Sequence, residues 1–302
     1  MSPSSLPSNL ESTLERIHAL ISAVKSPMLD DWDPLELGLL LARLEYEGLD
    51  LDAQKKQFWT QAEPHLKEFP ANSDQLWDRV NYVIQVFTEK LGFQGDTTNY
   101  YNIKNSFMND VFLRRKGIPI TLSLVFMALC RRAGLKAVGI AFPGHFLVRV
   151  VDGNEAESSA PTDWKHHRYV DCFDGCKVLT VKDCEERLEQ WTRGVLKFGP
   201  DALKVAHPAE IVSRSLRNLK AIFAEKEDLA RMYWVLSALI ELCPNERVEA
   251  YKERGLLMGR MGRYAQATSD LSKYLSCCQD PAKAAHAERL MRFFEGQQDF
   301  TN

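Results

Sequence analysis

The 302-residue sequence has almost no net charge, with 38 basic side chains against 41 acidic ones and a formal balance of −3. A broad nucleic-acid or anionic-membrane surface is therefore not implied, and no nucleic-acid reading motif is present. Apolar runs are short as well. None reaches membrane-spanning length without a charge, so no membrane partner is expected. The opening MSPSSLPSNLESTLERI lacks the positively charged start and apolar core of a secretory signal. The seven cysteines make no even disulfide set, and Cys130, Cys243, Cys277 and Cys278 fall in helical segments. These absences together lead to the expectation of a reducing, cytoplasmic compartment. Compact zinc-finger spacing is missing too. His166, His167, Cys172 and Cys176 are acceptable ligand types without a four-ligand closure, so neither a metal nor a cofactor is expected.

What is present is ordinary for a globular protein, with 45% hydrophobic and 26% charged residues. The stretch from Gly117 to Arg149 organises the rest. Pro119 suits the first turn of a helix, where its missing N–H costs nothing. Ile120 to Cys130 is apolar almost throughout, which predicts a helix buried on most sides. Arg131 and Arg132 fit its C-terminus, and Gly134 can cap it. Ala137 to Phe142, Phe146 to Val151 and Arg168 to Phe173 read as strands. His145 stands at the mouth of the second and Asp171 lies on the third. A buried helix followed by strands bearing His and then Asp is the layout of a cysteine-nucleophile site, and the cysteine is what this layout lacks.

The flanks are helical. Helices are expected over Leu10–Val24, from Asp33-Pro34-Leu35-Glu36 onward, from a cap at Asp52 to about Phe69, and from a cap at Ser73. In the last of these, Trp77, Val80, Val83, Phe87 and Leu91 form one face, with Gly92 beyond it. A short helix over Asn105–Arg115 leads to the central turn. Met1–Asn9 reads as a loose tail and Asp152–His166 as an exposed link. Lys177–Thr180 reads as a short strand, Asp183–Trp191 as a helix, and Gly194–His207 as a connection. From Val212 the spacing of Leu229, Met232, Leu236 and Pro244 recurs, with slight slippage, as Tyr264, Ala267, Leu271 and Pro281. This is a tetratricopeptide pattern of two helices per unit, with Gly255 where helices cross and Ala282–Gln297 as a capping helix.

Three blocks carry a family resemblance: Asn105-Ser106-Phe107-Met108-Asn109-Asp110-Val111, Arg114 through Ser123, and Phe142-Pro143-Gly144-His145-Phe146-Leu147-Val148-Arg149. With Tyr169-Val170-Asp171-Cys172-Phe173-Asp174-Gly175 they closely resemble the SirB1 family. That family joins a transglutaminase-like domain to C-terminal tetratricopeptide units. Its bacterial members are named for an association with virulence-gene regulation, which defines no molecular activity. The resemblance implies an α+β, papain-like core over 105–207, an N-terminal helical region over 1–104 packed on it, and all-α repeats over 208–302. The wider superfamily includes cysteine peptidases, transglutaminases and peptide N-glycanases that use Cys-His-Asp. Here the His matches His145, the Asp matches Asp171, and the Cys position falls on Pro119.

Proline supplies neither thiol nor N–H, so cysteine catalysis is not expected. Cys130 is eleven residues along the same helix, about 16 Å away. Cys172 should face away from Asp171 because adjacent strand residues alternate, which leaves Cys176 as the least implausible stand-in. Thr121 and Ser123 are hydroxyls near the helix start. Thr121 either bonds locally to backbone or serves as a nucleophile for His145. Asn105 and Asn109 either cap the short helix or line a cleft around His145. His145 and Asp171 form either a retained binding site or a structural pair. Arg114-Arg115-Lys116 suits a helix dipole better than a nucleic-acid patch.

The expectation is a non-catalytic protein-interaction or regulatory factor with a degenerate site. Its unknown protein or peptide partner would bind through 208–302, where Tyr233, Trp234, Arg254 and Arg260 are surface candidates and Trp234 is alternatively core. Homo-oligomerisation is also open. The alternative function is a peptide or amide hydrolase using His145 and Asp171 with an unconventional nucleophile.

Overall fold

The computed structural model describes residues 10–24, 32–67, 76–151 and 168–298. The expected cap at Ser73, the tail 1–9, the link 152–166 and the pair His166 and His167 lie outside the described residues. The chain divides into two compact units, one of residues 22–212 and one that combines residues up to Ile21 with Ser213 onward.

The unit 22–212 is α+β. Its helices begin with α1 (Leu10–Val24), most of which belongs to the other unit, and continue with α2 (Pro34–Ala42), α3 (Leu51–Leu66) and α4 (Leu76–Gln85). Asp33 caps α2 by accepting from Leu35 N–H at 2.9 Å, with Pro34 in the first turn. The cap of α3 is Asp50, which accepts from Ala53 N–H at 3.0 Å. Asp52, the expected cap, is already inside the helix. Two acids stand two positions apart there, and the earlier one takes the bond.

The expected face of the fourth helix is buried at Val80, Val83, Phe87 and Leu91. It is nevertheless not one α-helix, because Val86–Lys90 widens into a π-helical turn. The added residue rotates everything after it. Next come β1 (Gln94–Gly95), a 3₁₀ turn over Ile103–Asn105, α5 (Met108–Arg114) and β2 (Lys116–Gly117), which pairs in parallel with β1. The helix expected from Asn105 thus starts three residues later, after the 3₁₀ turn.

Helix α6 (Pro119–Arg132) is the centre of this unit. Every residue from Pro119 to Cys130 is buried. It packs against α2, α4, β3 (Lys136–Ile140) and β4 (Leu147–Val151). Each fully buried Leu, Val or Phe contributes about 1.5–3 kcal/mol of apolar burial, which makes this helix the main hydrophobic investment of the unit. At its end, Leu135 N–H bonds to Cys130 carbonyl at 2.8 Å and Gly134 takes a φ of +73°.

The strands β3, β4, β5 (Arg168–Asp171) and β6 (Lys177–Thr180) form an antiparallel sheet in that order. Gly139 pairs with Val148, Val148 with Val170, and Tyr169 with Leu179. Helix α7 (Val181–Thr192) starts at a capping box in which Thr180 and Asp183 bond reciprocally. Its stripe Val181, Cys184 and Leu188 packs with Ile140, Phe142, Leu147 and Tyr169.

The other unit is helical: the later part of α8 (Pro208–Glu225), then α9 (Leu229–Leu242), α10 (Arg247–Arg260), α11 (Tyr264–Cys277) and α12 (Pro281–Gln298). Connections of three or four residues force neighbouring helices to run antiparallel. At Gly255 an added Cβ would stand 3.2 Å from the Ala267 carbonyl and 3.1 Å from Leu271, so a glycine is what lets α10 and α11 approach. Trp234 is core, edge-on to Phe223 with ring centroids 5.6 Å apart. Arg254 is committed inward, to Asp270 at 2.7 and 2.8 Å and to Ser237 at 2.9 Å. Of the four surface candidates, Trp234 is core, Tyr233 and Arg254 are half-buried and line one pocket, and Arg260 is exposed.

Candidate functional site

The turn Phe142-Pro143-Gly144-His145 sets the site. His145 N–H bonds to the Phe142 carbonyl at 3.0 Å, and Gly144 has φ +75°. Proline second and a left-handed glycine third are the residues a type II turn requires. The turn ends with His145 two positions before β4. Val148 pairs with Val170, and continuing that register sets Leu147 opposite Asp171. Side chains alternate along a strand, so His145 and Asp171 lie on one face as diagonal neighbours.

His145 Nε2 meets Asp171 Oδ1 at 2.8 Å. Asp171 is 1% exposed and also accepts from the N–H groups of Phe173 at 3.1 Å and Asp174 at 3.2 Å. Its second oxygen accepts from Arg187, whose other arm reaches Asp174 at 3.1 Å. Burial pushes the Asp171 carboxyl up, but the His145 and Arg187 contacts and the Asp174 N–H outweigh it and hold the group below the ordinary carboxylate range. A carboxylate can only accept, so His145 in its neutral form carries its proton on Nε2, and Nδ1 is left as an acceptor.

Around the imidazole lies an open cleft of about 500 Å³. Its walls include Pro119 from the start of α6, Thr97 and Tyr100 from the loop after β1, Phe173 and Asp174 after β5, and Arg187, Gln190 and Trp191 from α7. Residues 187, 190 and 191 are i, i+3 and i+4 neighbours on α7, and Trp191 borders the buried stripe, its ring edge-on to Phe142 at 6.1 Å. The rings form a continuous series of edge contacts: Tyr100 to Phe173 at 5.7 Å, Phe173 to His145 at 6.3 Å, and His145 to Trp191 at 5.3 Å.

A family model described as the transglutaminase-like superfamily matches residues 14–217, and a tetratricopeptide-repeat model matches 219–292. A UPF0162 protein of Xylella fastidiosa (strain 9a5c) is 31% identical over 245 residues, 80% of this chain and 82% of that one. The chain belongs to the transglutaminase-like superfamily. Human F-box only protein 21 is 33% identical over 168 residues, 56% of this chain and 25% of its own length. A crystal structure of menin, described as revealing the binding site for Mixed Lineage Leukemia protein, superposes on 90% of this chain and 71% of that one. Its TM-score of 0.40 and 11% identity are too low to carry an argument.

Of the residues that the superfamily resemblance singled out, His145, Asp171 and Pro119 share the cleft. Asn105 and Thr121 are close by but do not line it. Thr121 Oγ1 accepts from Ile118 N–H at 3.1 Å and donates to the Asn105 carbonyl at 2.8 Å. The Asn105 amide donates to the carbonyls of Asn99 at 2.8 Å and Tyr100 at 3.3 Å. Its oxygen accepts from Arg114 at 2.7 Å, and Arg114 also holds Asp96 at 3.0 Å. These side chains thus tie the start of α6 to the loop that carries Tyr100. Asn109 lines a different pocket, of about 280 Å³, with Gln54, Phe58 and Arg115. Arg114 and Arg115 are no free basic patch, since Arg115 lies over the Phe93 ring at 4.8 Å.

No cysteine lines the cleft among the described residues. Cys130, Cys172, Cys176 and Cys184 are all buried. Burial pushes the Cys130 and Cys172 thiols well up, and Cys184 up to about 12. Ser123 is buried within α6. Arg187, Trp191 and Tyr100 are cleft residues that sequence reasoning missed. No pattern marked Trp191, because it continues the i, i+4, i+7 spacing of Cys184 and Leu188 and so reads as core.

Proposed function

We propose that the chain is a non-catalytic protein-interaction or regulatory factor whose transglutaminase-like site persists without its nucleophile. The observation that carries this reading is Pro119, at the start of a buried helix and on one cleft with a hydrogen-bonded His145–Asp171 pair. Cysteine catalysis needs a thiolate against the imidazole. At this position there is no thiol, and the neighbouring thiols are buried and, where shifted, held protonated. The tetratricopeptide helices support an interaction role. Tyr233 and Lys273 line a pocket of about 340 Å³ there, the kind of concave surface such repeats offer to a peptide or helix. This reading carries with it a cytoplasmic location and a protein or peptide partner.

A thiol-directed activity probe tests it. Uniformly slow labelling, unchanged in His145→Ala, is the expected result. Fast labelling of Cys176 or Cys172 that disappears in that variant overturns it. Quantitative affinity purification with wild type, His145→Ala and Tyr233→Ala then asks which surface holds a partner. A partner lost only in Tyr233→Ala supports the repeats.

One observation favours a second reading. The free Nδ1 of His145 faces the role of a base, which suits a peptide or amide hydrolase in which water is the attacking group. Thr121 does not support that reading, because its hydroxyl is spent on backbone. Hydrolysis of a peptide library that vanishes in both His145→Ala and Asp171→Asn would select the hydrolase over the binding factor.

A further inference from the structure

Among the described residues, the charges on the His145 cleft are two carboxylates, Asp171 and Asp174, against one guanidinium, Arg187, which leaves one negative charge when the imidazole is neutral. The guanidinium is also spent, with one arm on Asp171 and the other on Asp174. An anionic ligand would therefore meet two carboxylates and a cation whose fork is already occupied. A cationic ligand would meet three different attractions. Asp174 is 60% exposed, and only one of its oxygens is taken by Arg187. A neutral His145 that donates from Nε2 to Asp171 offers the Nδ1 lone pair. Tyr100, Phe173 and Trp191 supply aromatic rings whose quadrupoles attract a cation, most strongly for tryptophan.

The surroundings decide between a small free amine and a side chain on a polypeptide. Trp191 is 48% exposed, Tyr101 is 66% exposed and Val195 is 81% exposed, and Tyr100 and Leu196 are exposed as well. These five are most of the large apolar side chains exposed among the described residues, and they fall on two segments, 100–101 and 191–196, each of which contributes a wall to the cleft. Tyr100 and Trp191 line the cleft itself and the other three follow them closely in the chain, and exposed apolar side chains grouped in this way are what a protein-binding site presents. A free amine has nothing to place on them.

We propose that this cleft receives a basic side chain, lysine or arginine, of a partner polypeptide whose neighbouring apolar residues rest on the Tyr100–Tyr101 and Trp191–Leu196 segments. This deepens the non-catalytic reading and rests on it in one respect, that the bound side chain leaves unmodified.

The test uses the full chain with ¹⁵N-labelled tryptophan, the Trp191 indole signal being assigned by Trp191→Phe. Blocked tripeptides with lysine, arginine, norleucine or glutamate between two leucines are titrated in turn, and each peptide is recovered for mass spectrometry. The expected result is a saturable shift of the Trp191 signal by the lysine and arginine peptides, about tenfold tighter than by the norleucine peptide. Asp174→Asn should remove most of that advantage without disturbing the free protein's spectrum. Equal binding of the norleucine peptide, tighter binding of the glutamate peptide, or an unchanged advantage in Asp174→Asn overturns the proposal. A basic peptide that binds with these preferences but is recovered modified upholds the cleft's selectivity and removes the non-catalytic reading instead, so the two fail separately.

Discussion

Two buried aspartates in the same unit have similar surroundings, and their networks end differently. Asp96, 2% exposed, accepts from Arg114, Thr98 and Asn99 N–H. Asp171 accepts from Arg187, His145 and two backbone N–H groups. Burial pushes both carboxyls up, and in both the hydrogen bonds win and hold the group low. The difference lies at the far end. The Asp96 network runs through Arg114 to Asn105 and closes on Thr121 and backbone carbonyls. The Asp171 network ends on an imidazole at an open cleft. The proposed site rests on that difference, since the last member of the Asp171 cluster lines an open cleft and that of the Asp96 cluster does not.

The sharpest way to break this contrast is Arg114→Ala. It would leave Asp96 buried and charged, and losing one partner of such a pair costs about 3 kcal/mol or more. Urea denaturation followed by circular dichroism should show that loss, with the start of α6 and the Tyr100 loop loosened together. A loss below about 1 kcal/mol would mean that the Asp96 cluster is not structural, and the contrast would collapse.

Next in size is Pro119→Cys. A thiol at the first turn of α6 would gain the helix dipole and, if the cleft keeps its geometry, the Nδ1 acceptor of His145. Alkylation at pH 6 should be about tenfold faster than for free cysteine, and the gain should vanish when His145→Ala is added. An introduced thiol that reacts no faster than free cysteine would show that the cleft does not hold an attacking geometry.

Legibility in the sequence follows the same line. Helix α6 was readable because eleven nearly continuous apolar residues allow no exposed face, and His145 because Pro143-Gly144 is a turn with a mechanism. The π-helical turn at Val86–Lys90 leaves no compositional mark, since the residues that make it would also continue an α-helix. Asn105 and Thr121 look like site residues from their spacing, and only three-dimensional contacts separate a residue that lines the cleft from one that holds the wall in place. Arg187 and Trp191 come from a later helix whose buried stripe dominates its pattern, and the meeting of Arg187 with Asp171 and of Trp191 with His145 depends on the sheet register.

A smaller effect is expected from His145→Ala. The histidine is linked to Asp171 through one hydrogen bond, and Asp171 keeps Arg187 and two N–H donors, so about 1 kcal/mol should be lost. A loss as large as that of Arg114→Ala would mark the imidazole as part of the frame, contrary to a retained ligand site.

The smallest effect sharpens the comparison from the Asp171 side alone. Its folded carboxyl sits below the ordinary value of 3.8. The unfolded chain therefore binds a proton first as pH drops, and stability from this group is fully present above the unfolded value and is lost as pH falls through the folded one. In His145→Ala the contact that contributes most to the lowering is gone, so the folded value moves back up and less stability remains to be lost. The gap in unfolding free energy between wild type and His145→Ala should then be widest above pH ~5 and should narrow as pH falls below ~4, within the carboxylate range. Asp96, untouched in both proteins, contributes the same acid loss to each and cancels in the difference. Denaturation midpoints in urea at half-unit steps from pH 6 to pH 2.5 would read this directly. A gap that stays constant with pH would mean that His145 does not hold the Asp171 charge, and one that widens toward acid would mean that the imidazole raises the carboxyl instead of lowering it.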